Sequence, residues 1–168
     1  MDAFIKCKSA IPDARLVIVG TKTAADTAYV DAIKGRLRDA GCSDSVSFHD
    51  NVSVDENVRL LQTFDVLSVP ALYGESFGLY AIEALACGVP VVAPIHGAFP
   101  ELAVETGGVA LFNQDTDGDY ERVLLDVLSS QGTTLAGAGR AAVVERFCTH
   151  SMATGVIAAF ASHVKKAV

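Results

Sequence analysis

Short apolar runs punctuate the chain at residues 15–19, 46–49, 65–69, 90–93 and 108–112. Each has the length of a strand, and most are rich in Val, whose branched Cβ suits a pleated surface. The first, third and fourth are nearly continuous rather than alternating, the pattern of strands covered on both faces of a parallel sheet. Between the runs the apolar spacing changes to three and four, the period of a helix with one buried face. Val30, Ile33, Leu37 and Ala40 make one such face, and Gly41 stops it. Ser53 and Glu56 form a capping box ahead of Val58, Leu61 and Phe64. Leu79, Ile82 and Ala86 make another stripe, ended by Gly88-Val89-Pro90. Tyr120, Val123, Leu124, Val127 and Leu128 make the clearest one, with Asp117 or Asp119 as its cap.

Strand and helix signals alternate, which predicts βα units and an α/β fold with a doubly wound parallel sheet, a single domain over residues 1–168. After Phe112 the pattern predicts only helices. The last carries Met152, Val156, Phe160 and Val164, and the glycine-rich piece 132–139 reads as a connection between helices. A βα protein normally opens on a strand. Here Phe4, Ile5 and Lys8 already show an apolar and a polar face, so the chain opens on a helix and its first strand is expected to be missing.

Composition narrows the function. Of 168 residues, 51% are hydrophobic and 20% charged, which excludes a disordered chain. Lys and Arg total 13 against 20 Asp and Glu, a formal charge of −7, so nucleic acid is not an expected partner. No apolar run approaches the roughly 20 residues that span a bilayer. The first eight residues lack the layout of a signal peptide, so a cytoplasmic location is expected. Cys7, Cys42, Cys87 and Cys148, like His49, His96, His150 and His163, show no ligand spacing, and they read as ordinary thiols and imidazoles rather than a disulfide framework or a zinc site. Asp115, Asp117 and Asp119 lack the Gly and distal Glu of a calcium loop and read as helix caps. Lys165 and Lys166 read as a solvated terminus.

The chemistry concentrates in residues 70–93, P-A-L-Y-G-E-S-F-G-L-Y-A-I-E-A-L-A-C-G-V-P-V-V-A. This stretch leaves a strand, turns through Gly74 and enters a helix near Gly78, so the turn faces the crevice where open α/β sheets bind ligands. Glu75 stands in the loop and Glu83 inside the helix. Eight helical residues rise roughly 12 Å, so the two carboxylates suit two ends of an extended ligand rather than one atom. Between them, the amides of Phe77, Gly78, Leu79 and Tyr80 sit at the positive end of a helix dipole, an anion site. Gly78 lets a ligand approach the backbone. Hydroxyl, phosphate, hydroxyl is the order of groups in a nucleotide-sugar. Phe77 and Tyr80 side chains read as packing residues, His96 as a loop histidine within reach of the crevice, and Glu101 as a first-turn carboxylate.

The spaced motif P-x-x-x-x-E-S-F-G-L-x-x-x-E-A-x-A-x-G-x-P-V-V-A resembles that of the retaining glycosyltransferases with the GT-B fold, family 4, also called group 1. Residues 16–20 and 46–52 are similar to the second and third strands of that family's C-terminal, donor-binding Rossmann-like domain, and the resemblance runs from about residue 3 to residue 130. It implies that Glu75 is catalytic, contacting the donor sugar's hydroxyls and positioning it for transfer. It implies that Glu83 accepts from the ribose hydroxyls, that the backbone amides of Phe77, Gly78 and Leu79 cradle the distal phosphate, and that Ser76 is also substrate-binding. Val52 would lie along the base, and Gly20 would leave room for the nucleotide. The nucleotide-diphosphate-sugar is then substrate; no cofactor and no metal are expected.

The resemblance also carries departures. The family's domain opens with a strand and a loop bearing an Arg and a Lys that neutralise the diphosphate, and nothing here matches them; Lys22 and Arg59 are cations off the motif position. The acceptor-binding N-terminal domain is likewise an expected missing partner, and any peripheral membrane contact would come through it. The expected reading is therefore a piece of a longer enzyme, prone to self-association through an unpaired sheet edge. The alternative is a truncated, non-catalytic nucleotide-binding fragment. A dinucleotide-binding dehydrogenase fails because no G-x-G-x-x-G opens a βαβ unit. A receiver-like signalling domain fails for want of an acidic cluster and a strand-end Lys.

Overall fold

The computed structural model describes residues 1–164. Lys165 and Lys166, read above as a solvated terminus, lie outside the described residues. The chain folds into two compact units, Met1–Arg59 and Leu60–Val168.

In the first unit, α1 (Asp2–Ala10), β1 (Leu16–Val19), α2 (Thr27–Asp39) and β2 (Val46–His49) follow one another, and α3 (Val54–Leu61) runs across the boundary. β1 and β2 pair in parallel, Leu16 opposite Val46 through Val19 opposite His49. The capping box forms as its spacing predicts: the Ser53 amide and hydroxyl each donate to Glu56 Oε2 at 2.9 Å, and the Glu56 amide donates back to Ser53 Oγ at 3.3 Å. These bonds hold the Glu56 carboxyl below its ordinary pKa, the Ser53 amide contributing most. On α2 the expected stripe is only partly realised. Leu37 is buried, Val30 and Ile33 are half-buried, and Ala40 is exposed. Ala3, Cys7 and Cys42 are the other buried residues of this unit.

The second unit holds a parallel sheet in the order β3-β4-β5, made of β3 (Leu67–Ser68), β4 (Val91–Pro94) and β5 (Val109–Phe112). β4 is central and buried along its whole length, in line with its unbroken apolar run. The helices α4 (Leu79–Ala86) and α5 (Phe99–Thr106) connect the strands. Then come α6 (Asp119–Asp126), a π turn at Val127–Gln131, α7 (Gly132–Arg146) and α8 (Thr149–Val164). The core gathers Leu85, Val91, Ala93 and Phe99, all inaccessible to solvent. Burying a side chain the size of Leu or Phe contributes about 1.5–3 kcal/mol each.

Three expectations are corrected here. The buried face of α4 is Ala81, Ile82, Ala84 and Leu85, whereas Leu79 and Ala86 are exposed. Its neighbours come from both the sheet and α7, so a stripe two residues wide is needed. Residues 132–139 are not a connection but the first half of α7. Close packing accounts for the glycine: a Cβ on Gly139 would lie 2.5 Å from Leu85 Cδ2 and 3.0 Å from Gly108 Cα, so its absence lets the helix come close to both. The cap position of α6 belongs to Gly118, neither Asp117 nor Asp119. The Asp119 carboxylate instead accepts from the Asn113 amide at 2.7 Å. On α8, Met152, Val156 and Phe160 are exposed, and the side chain of Val164 lies outside the described residues.

Candidate functional site

The site is a strand, a turn and a helix. β3 ends at Ser68, with the Val69 amide still bonded to the Val92 carbonyl at 2.9 Å. Pro70 cannot donate to a ladder, and the chain then leaves the sheet. It turns through Gly74 and Glu75 and enters α4 from Gly78, which sits at φ 79° in the cap position. This turn is at the carboxyl end of the strand, as are the loops after β4 and β5.

Glu75 is half-buried and its carboxylate is held at both oxygens. Oε1 accepts from the Ser76 amide at 2.8 Å, the Ser76 hydroxyl at 3.4 Å and the Phe77 amide at 3.3 Å. Oε2 accepts from the Tyr80 hydroxyl at 3.0 Å. Together these donors hold Glu75 below the usual carboxylate range, the Phe77 amide first, then Tyr80, with the Ser76 and Gly78 amides adding to it. Tyr80 is pushed up to about 12, by burial first and by the Glu75 carboxylate second, so its hydroxyl keeps its proton near neutrality.

The backbone of Glu75 is gripped from the loop after β4. The Ala98 amide donates to the Glu75 carbonyl at 2.8 Å. Gly97, at φ 63°, lies so close that an added Cβ would stand 2.5 Å from the Glu75 nitrogen and 2.6 Å from its carbonyl oxygen. Both ring nitrogens of the preceding His96 are shut off from solvent without a hydrogen-bond partner.

Glu83 is exposed in the second turn of α4, between the buried Ile82 and Ala84. Burial chiefly, and the Glu83 charge after it, raises the Cys87 thiol. Leu79 and the Phe77 ring are exposed. Behind the turn lies a shallow hollow of about 500 Å³, walled by Leu67, Ser68, Tyr80 and the loop 69–73.

The structure thus collects Glu75, Ser76, Phe77, Gly78, Leu79 and Glu83 on one strand–turn–helix. Gly20 and Val52 belong to the first unit, at the ends of its strand pair. The Gly20 amide donates to the His49 carbonyl at 3.1 Å, and a Cβ on Gly20 would meet nothing within 4 Å. Val52 is half-buried, just after Asn51 at φ 52°. Beside them the Lys22 amide donates to Asp50 Oδ1 at 3.1 Å.

Two features differ from the sequence reading. The Phe77 amide, read as a phosphate donor, is engaged by the Glu75 carboxylate. Tyr80 and Phe77, read as packing residues, are exposed, and Tyr80 bonds Glu75. Sequence reasoning passed over Gly97 and Ala98 as partners of Glu75; their only signal was a loop following a strand on the crevice side. Among the described residues no group of three or more His, Cys, Asp or Glu side chains is placed to hold a metal ion.

The family model described as "Glycosyl transferases group 1" matches residues 1–142. The chain belongs to the group 1 glycosyl transferases. A D-inositol 3-phosphate glycosyltransferase of Mycobacterium sp. (strain KMS) is 34% identical over 151 residues, covering 89% of this chain and 33% of the relative. The chain therefore spans about a third of the length of the curated relatives it matches. Among solved structures, HepE of Anabaena in complex with UDP and glucose aligns with a TM-score of 0.80 at 22% identity, over 96% of this chain and 43% of that one. The C-terminal domain of the group 1 protein LpcC from Francisella tularensis aligns with a TM-score of 0.77 at 22% identity, over 88% of this chain and 77% of that domain. At these identities the likeness establishes the fold, an α/β Rossmann-like one. No helix among the described residues is long and apolar enough to cross a membrane.

Proposed function

We propose that this group 1 chain is the donor-binding part of a retaining glycosyltransferase of family 4, moving a sugar from a nucleoside-diphosphate sugar to an acceptor. The observation that carries the reading is the turn at the head of α4: a carboxylate, Glu75, held among backbone amides, with a second, exposed carboxylate, Glu83, further along the same helix. Glu75 meets the sugar hydroxyls and Glu83 the ribose hydroxyls. The first-turn amides of α4, which have no carbonyl four residues back, take the distal phosphate. The Ser76 and Phe77 amides stay with the Glu75 carboxylate, so the phosphate meets the amides that follow them, those of Gly78 and Leu79. Stabilising the departing diphosphate and orienting the anomeric carbon supply the rate, with no metal required.

The complexes of HepE with UDP and sugar support a uridine donor as the first to assay. The name of the curated relatives makes D-inositol 3-phosphate the first acceptor. The test is transfer from UDP-glucose by the chain joined to an acceptor-binding domain, with the product's anomeric configuration read by NMR. An α-linked product is expected from this α-linked donor. A β-linked product would overturn the retaining assignment, and absence of transfer from any nucleoside-diphosphate sugar would overturn the donor reading. Nucleotide binding without transfer would favour a non-catalytic nucleotide-binding part.

A further inference from the structure

We propose that Tyr80 is a positioning residue for Glu75, fixing the orientation in which its carboxylate meets the donor sugar; this rests on the donor reading above. The two oxygens of Glu75 are held by different parts of the chain. Oε1 is taken by the turn, with three donors from Ser76 and Phe77. Oε2 accepts from the Tyr80 hydroxyl, in the first turn of α4. A carboxylate offers about four lone-pair sites. Oε1 is crowded, so the acceptor left for a sugar hydroxyl is the remaining lone pair of Oε2, and its direction is set by where Tyr80 holds that atom.

Without Tyr80 the carboxylate keeps its anchor at Oε1 and gains freedom to turn about it. Tyr80 is not held in the core for its ring: the residue is 39% exposed. Its hydroxyl is the part with a defined partner. With its own pKa raised, that hydroxyl remains a donor through the neutral range. A phenylalanine would keep the ring and the wall of the hollow beside it, and would remove only the hydrogen bond.

The experiment uses the full chain and three variants, Tyr80→Phe, Glu75→Gln and the double variant. The Glu75 carboxyl carbon is titrated by NMR, and UDP and UDP-glucose are titrated by calorimetry. Tyr80→Phe is expected to raise the pH at which Glu75 titrates, because a donor to its charged form is lost. It should lower the affinity for UDP-glucose by about tenfold while leaving UDP unchanged, the scale of one hydrogen bond to a charged group. In the Glu75→Gln background it should change neither ligand.

An unchanged Glu75 titration overturns the contact. A shifted titration with an unchanged UDP-glucose to UDP ratio overturns the positioning role, as does an equal effect in the Glu75→Gln background. Wild-type protein that binds UDP and UDP-glucose equally overturns the role of Glu75 in holding the sugar, and with it this proposal. That result is distinct from a failure of the Tyr80 contact, which the titration alone reports.

Discussion

Gly97→Ala tests whether the loop after β4 sets the place of Glu75. The substitution adds one methyl group, at a point 2.5 Å from the Glu75 nitrogen, 2.6 Å from its carbonyl oxygen and 3.0 Å from the Gly74 carbonyl carbon. All three neighbours are backbone, so no side chain can swing aside, and one of the two loops must move. The residue also holds φ 63°, where an L side chain costs about 1–2 kcal/mol. Overpacking against a rigid neighbour adds about 1–3 kcal/mol. The sum, about 2–5 kcal/mol, corresponds to a fall in Tm of about 4–20 °C for a chain of this size.

Thermal and urea unfolding followed by far-UV circular dichroism read the effect. Gly137→Ala is the control: it lies in the same chain's α7, its Cβ would meet nothing within 4 Å, and helix propensity predicts a gain of about 0.8–1.0 kcal/mol. Amide spectra should place the shifts of Gly97→Ala at residues 74–78. Melting within about 1 °C of wild type, with the amides of 74–78 unmoved, would refute the argument that this contact is tight.

Gly108→Ala, outside any helix, should destabilise by about 1–3 kcal/mol, since its Cβ would stand 2.6 Å from Gly139 Cα and 2.5 Å from Leu85 Cδ2; urea midpoints equal to wild type would remove the close-packing account of α7. Glu83→Ala should weaken UDP binding several-fold in calorimetry; unchanged affinity would count against a ribose contact. Asp119 has its carboxyl pKa lowered, by the Asn113 amide first and by Arg122. A lowered folded-state value means a stabilisation present above the ordinary carboxylate pKa near 4 and lost as pH falls through the folded value. Asp119→Asn should therefore be less stable than wild type at pH 7, the gap closing on acidification. A gap independent of pH would show that the charge is not involved.

Much of the framework was legible in the chain because its signals are local. The runs at 46–49 and 108–112 match β2 and β5 within a residue, and β4 is as buried as its unbroken Val-Val-Ala run implies. The Ser53–Glu56 box is a contact between residues three apart, and it forms as spaced. The failures have a common cause, dependence on a distant partner. The glycines of 132–139 looked like a loop because their helix-breaking tendency is local, while the use of one of them, Gly139 admitting Leu85 and Gly108, joins elements far apart in sequence. Leu79 and Ala86 were placed on the buried face of α4 by period alone, but the direction of that face is set by α7 and the sheet. At the candidate site the positions of Glu75 and Glu83 on a turn and a helix were readable from the motif. The inward curl of the Glu75 carboxylate onto its neighbours' amides was not, nor was the approach of Gly97. The first depends on the backbone dihedrals of the turn itself, the second on the loop after β4.

Leu85 is on α4, the helix that carries Glu83, and its tip fits into the notch left by Gly108 and Gly139. The tilt of the helix bearing the candidate site is thus set from behind by glycines that come later in the chain, one ahead of β5 and one in α7. A graft of residues 70–93 into another scaffold would carry every side chain of the motif and still misalign it unless the two notch glycines travelled with it.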